Sequence, residues 1–93
     1  MLDHETARSR LRALHEAASA LAGWHKDQAE DFIRVGEYSL ALDGIAYAYL
    51  NNRVRMPAKL FKFFDELAVS MELDSDPEFD GVAQLRKMQG TAS

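Results

Sequence analysis

The stretch that decides the fold is Gly36-Glu-Tyr-Ser-Leu-Ala-Leu-Asp-Gly-Ile-Ala-Tyr-Ala-Tyr-Leu-Asn-Asn52. From Tyr38 to Leu50 only Ser39, Asp43 and Gly44 interrupt an apolar and aromatic run. The run falls well short of the ~20 residues that a membrane-spanning helix needs. A helix apolar on nearly every side has to be enclosed by other helices, so this element belongs at the centre of a helical bundle. Ser39, Asp43 and Tyr47 recur at i, i+4 and i+8 and fall on one line, the side expected to meet water or a partner. Gly44 costs a helix interior about 1 kcal/mol relative to alanine, which points to close approach of a neighbouring helix backbone.

Working outward, residues 3–22 carry Ala7, Leu11, Leu14, Ala18 and Leu21 at the spacing of one helical face. Asp3 is placed to cap this helix and Gly23 to stop it, with Arg8, Arg10 and Arg12 off the apolar face and solvated. Asp27 followed by Glu30 resembles a capping box for a second helix, whose apolar side is Phe32, Ile33 and Val35. Gly36 ends it in the left-handed conformation. Trp24, in the joint, is expected over the end of the core. Pro57 starts a fourth helix with Leu60, Phe64, Leu67 and Met71 as its line, widened by Phe61, Phe63 and Ala68. Residues 77–88 form a last short helix through Phe79, Val82 and Leu85, with 89–93 frayed. The expectation is an all-α single domain over 1–93: a compact bundle of four to five short helices with no sheet.

Composition narrows the function. The 47% hydrophobic content excludes wholesale disorder, and 28% charged residues suit a soluble surface. Without cysteine there is no disulfide framework, thiolate metal site or thiol nucleophile. Neither the N-terminus nor any later stretch has the apolar run of a signal peptide or a membrane span, so a cytoplasmic protein with no membrane partner is expected. A net charge of −4 disfavours nucleic acid, whose binding is driven by basic patches, and favours a basic protein partner.

Catalytic patterns are missing. His4, His15 and His25 lack the spacing of a helical zinc motif and read as surface or boundary residues, so no metal and no cofactor is expected. Asp74-Ser-Asp-Pro-Glu-Phe-Asp-Gly81 alternates carboxylates, but an EF-hand counted from Asp74 would need glycine and glutamate where Phe79 and Leu85 stand. Asp65 and Glu66 are helix neighbours that diverge rather than share a proton. No phosphate loop or serine elbow is present, and an enzyme is not expected.

Charge is segregated instead. Between Asp65 and Asp80 there is no lysine or arginine, whereas Arg53, Arg55, Lys59 and Lys62 precede this stretch. The plain reading is two solvated faces, with Lys62 and Glu66 pairing at i, i+4. The functional reading is an acidic edge that steers a basic partner.

Val35-Gly-Glu-Tyr-Ser-Leu-Ala-Leu-Asp-Gly-Ile-Ala46, together with Pro57 to Leu73, resembles the MafI-like immunity proteins of bacterial polymorphic toxin systems. The resemblance spans about residues 27–74. It departs from the pattern at Gly44-Ile45, where leucine and acidic residues are commoner, and at the basic connector Arg53-Val-Arg55. In the shared motif Gly36 ends one helix and Leu40, Ala41 and Leu42 pack the next. The resemblance implies a non-enzymatic inhibitor, monomeric or weakly dimeric when free, that occludes a cognate toxin domain such as a basic nuclease. The residues expected to bind this partner are Asp43, Tyr47, Asp65, Glu66, Glu72, Asp74 and Asp76. The alternative is a small helical adaptor or regulatory subunit acting through protein–protein contacts.

Overall fold

The computed structural model describes residues 2–73 and 76–91. It contains α1 (His4–Ala18), α2 (Lys26–Arg34), α3 (Tyr38–Asn52), α4 (Ala58–Ser70), a 3₁₀ turn (Pro77–Phe79) and α5 (Asp80–Thr91). Among the described residues there is no strand, and no helix is long and apolar enough to cross a membrane.

The apolar helix α3 is central, packing against α1, α2 and α5, while α4 packs on α1. Its Ala41, Leu42, Ile45, Ala46, Ala48 and Tyr49 are buried. They meet Leu11 and Leu14 of α1, Ile33 of α2, Phe64 and Leu67 of α4, and Val82 and Leu85 of α5 in one core. Each fully buried large side chain of this kind contributes about 1.5–3 kcal/mol. Of the phenylalanines in α4 only Phe64 is fully buried; Phe61 and Phe63 pack against the core's edge.

Local chemistry sets the helix ends. Asp3 accepts from the Thr6 N–H at 2.7 Å and caps α1. Gly36, at φ +84°, follows α2, with Gly36 N–H bonded to Ile33 O and Glu37 N–H to Phe32 O, a Schellman end. The same bond pattern closes α3 at Arg53 (φ +55°) and α4 at Glu72 (φ +57°), where side chains rather than hydrogens occupy the left-handed position. Such a residue costs roughly 1–2 kcal/mol. The connector that follows the α3 end is held from elsewhere. Met56 is buried, and Gln89 of α5 grips its backbone, accepting from Met56 N–H at 3.3 Å and donating to Met56 O at 2.6 Å.

Several expectations are corrected. Helix α1 stops at Ala18 rather than 22, because the chain turns through Ser19 to Gly23, the latter at φ +79°. There is no capping box at Asp27. Helix α2 begins one residue earlier, and Glu30 reaches across to His15 instead of back to its own helix end. Val35 is 65% exposed rather than part of the apolar side, and Leu40 is 44% exposed rather than packed. Arg10 is not solvated: it pairs with Glu66, which therefore takes Arg10 rather than Lys62, and lies over the Phe63 ring 5.2 Å from its centroid. The C-terminal helix runs to Thr91, with Gln89 buried, and residues 92–93 of the segment expected to fray lie outside the described residues.

Candidate functional site

The two glycines on the α3 flanks define the site. A Cβ on Gly44 would meet no backbone; it would lie 3.5 Å from the Trp24 ring, so the expected close helix approach is instead a tryptophan laid over α3. The close approach is at Gly81 of α5. There a Cβ would lie 2.7 Å from Tyr47 Cε2 and 2.9 Å from Asp43 Oδ1. Glycine at 81 lets the start of α5 sit directly under the Tyr47 ring and the Asp43 carboxylate.

Asp43 is consequently a structural cap. Its Oδ1 accepts from the Val82 N–H at 3.1 Å, an otherwise unpartnered donor at the start of α5. Burial pushes its carboxyl above the ordinary range, the Val82 and Gly81 N–H groups pull it back down, and Asp80 adds a push upward. Tyr47 stands beside it, 37% exposed. Its hydroxyl is pushed up by loss of water and by the charges of Asp80 and Asp43.

On the other side of Tyr47, α2, α3 and the α1–α2 turn enclose a groove of about 290 Å³. Trp24, Phe32, Leu40, Gly44 and Tyr47 supply its apolar surface, and His25, Gln28 and Asn51 its polar rim. That volume sits at the low end of the ~300–1,000 Å³ usual for small-molecule sites, and suits one or two inserted side chains. Two of its apolar residues, Leu40 and Tyr47, reach solvent, as a docking anchor must.

The Trp24 wall is held from below. Its Nε1 donates to Nδ1 of buried His15 at 3.2 Å, and His15 Nε2 lies 3.0 Å from Glu30 Oε1. That bond is the leading cause of the Glu30 carboxyl lying below its ordinary range, with Arg12, 3.4 Å from Glu30, adding to the effect. His15 is therefore a core residue rather than a surface or boundary one. A signal for this was present: His15 is four residues after Leu11 and three before Ala18, on the face that packs. Asn52 ties the same turn to α3 by donating to Ala22 O at 3.0 Å.

The seven expected partner-binding residues do not form one edge. Asp43 and Tyr47 are brought together beside the groove. Asp65 bonds Arg86 Nε at 2.6 Å and Glu66 pairs with Arg10, so these two carboxylates are half-buried and turned against the chain's own arginines. Glu72 is exposed at the left-handed end of α4, and Asp76 caps the 3₁₀ turn by accepting from Glu78 N–H at 3.0 Å. Asp74 lies outside the described residues. What sequence reasoning missed is Trp24 as a groove wall, and Leu40 as its exposed rim.

The arrangement defines a small helical protein with an apolar groove beside a carboxylate-flanked tyrosine. Comparisons with protein-family models, with curated proteins and with solved structures find no match to this chain.

Proposed function

We propose that this chain is a protein-binding module, and that it acts as an immunity protein by docking a basic toxin domain on the α2–α3 face. The groove between Trp24 and Tyr47 carries the reading. It combines exposed apolar anchors at Leu40 and Tyr47 with negative charge at Asp43 and Asp80 and a chain whose net charge is −4. Apolar anchoring supplies affinity, and the surrounding charge supplies encounter rate and discrimination. The acidic face of α4 contributes less than its sequence suggests, because Asp65 and Glu66 have internal arginine partners. The motifs shared with MafI-like immunity proteins supply the toxin assignment.

The test is co-expression with the toxic domain encoded beside this gene. Leu40→Asp and Tyr47→Ala, both at solvent-reaching positions, are expected to abolish growth protection and co-purification while leaving the fold intact. Asp65→Ala, which breaks a surface pair worth about 0–1 kcal/mol, should protect like the parent. Protection that survives both groove variants but fails in Asp65→Ala would move the interface to α4 and reject the groove.

A further inference from the structure

His15 is only 2% exposed, yet both of its ring nitrogens are engaged. Trp24 Nε1 donates to Nδ1 at 3.2 Å, and Nε2 faces Glu30 Oε1 at 3.0 Å. An indole N–H can only donate, so Nδ1 carries a lone pair here and the ring's single proton sits on Nε2. The bond thus depends on the imidazole being neutral. Trp24 in turn covers Gly44 and lines the groove, so the residue held by His15 is part of the docking face.

We propose that His15 is a proton-operated latch on this groove. Neutral, it pins the Trp24 indole as the groove wall; protonated, it turns a second N–H toward that indole, releases it and alters the shape offered to a partner. The charged groups around it allow this. From α2, Glu30 faces Nε2 and stays ionised, so the imidazolium keeps a counter-charge without leaving the core. From α1, Arg12 shares Glu30 at 3.4 Å and opposes the added charge. The carboxylates of the other elements packed on α1 are committed elsewhere: Asp43 of α3 to Val82, Asp65 and Glu66 of α4 to Arg86 and Arg10. Two donors facing each other are the side that yields. Trp24 sits in a turn, directly after Gly23 at φ +79°, where a side chain can move without unwinding a helix.

The proposal rests on the groove reading for its consequence but not for the release itself, and the two are separable by experiment. The chain has one tryptophan, so its emission and its indole N–H resonance, followed from about pH 8 down to pH 5.5, report the latch directly. Expected is a single step, with emission moving to longer wavelength and the indole resonance losing its hydrogen-bonded shift, while far-UV circular dichroism holds. His15→Gln, whose amide oxygen accepts from the indole without titrating, should abolish the step, and His25→Gln should keep it. A tryptophan signal unchanged over that range, or a step that survives in His15→Gln, overturns the latch. Should His15→Gln fail to fold, imidazole nitrogen shifts of the unaltered chain decide: Nδ1 must pass from lone pair to protonated across the step, and an Nδ1 protonated throughout overturns it. Capture of the toxic domain that is constant across the step overturns the link to docking and leaves the release of Trp24 standing.

Discussion

On one flank of α3, α5 comes so close that a Cβ at Gly81 would sit 2.7 Å from the Tyr47 ring. On the other flank, Trp24 leaves 3.5 Å at Gly44, and beyond it a groove of about 290 Å³ stays open. The tight flank is fixed at both ends of α5: Asp43 caps its start, and Gln89, one of its last residues, grips the Met56 backbone. The loose flank hangs on single bonds, Trp24 to His15 and Asn52 to Ala22. The difference teaches where polar groups serve the fold and where they leave surface for something else. Equal-looking residues of α3, Asp43 and Tyr47 among them, are divided between the two tasks by which neighbour they happen to face.

The largest effect that would break this comparison is at Gln89. Gln89→Ala strips both partners from a buried backbone N–H and C=O, each worth roughly 1–3 kcal/mol when left unmet. A loss of about 3 kcal/mol is expected in urea unfolding. A loss under ~1 kcal/mol would mean that water replaces the amide and that the α5 flank is not held there.

Next is the glycine pair, measured side by side by thermal unfolding. Gly81→Ala should destabilise by about 1–3 kcal/mol, the usual cost of forcing a methyl group into a packed site. Gly44→Ala meets only ordinary contact with Trp24 and should stabilise by about 0.5–1 kcal/mol through helix propensity. Equal losses at both sites would erase the distinction between the flanks.

The smallest effect is in pH dependence, where the flanks should have opposite slopes. Burial raises the Asp43 carboxyl above the ordinary 3.8, so the folded chain holds that proton more tightly than the unfolded one. Its ionisation therefore removes stability as pH rises through this range. Asp43→Asn keeps an oxygen for Val82 N–H without the charge, and its stability relative to the parent should improve between about pH 3 and pH 7. Glu30 has the opposite sign: the His15 bond holds its carboxyl below the ordinary 4.5. The stability it adds is present above that value and lost as pH falls, so Glu30→Gln should be most damaging near neutral pH and nearly silent at about pH 3. Chemical denaturation at the two pH values reads both differences, and slopes of the same sign would contradict the assignment.

The helices, their order and the enclosed position of α3 were legible because apolar spacing is written within each element, where 3.6-residue periodicity acts. Gly36 as a left-handed stop was equally readable, since its cause is local sterics. The candidate site was readable only in part. Asp43 and Tyr47 were correctly placed on one line, but nothing within α3 says that Gly81, far along the chain, would sit under them. The acidic run from Asp65 to Asp80 gave the most misleading impression. Its first two carboxylates meet Arg86, 21 residues away, and Arg10, 56 residues away, across helix–helix contacts.

Periodicity therefore settled which residues form helices and which faces those helices bury. Whether a carboxylate is left free, caps a neighbour or meets an arginine depends on how helices register against one another, and that was settled only when the bundle closed. The physical reason is range: backbone hydrogen bonds and apolar spacing act over a turn or two of one helix. Ion pairs, caps donated across elements and the seat of Trp24 on His15 require two distant segments to arrive together.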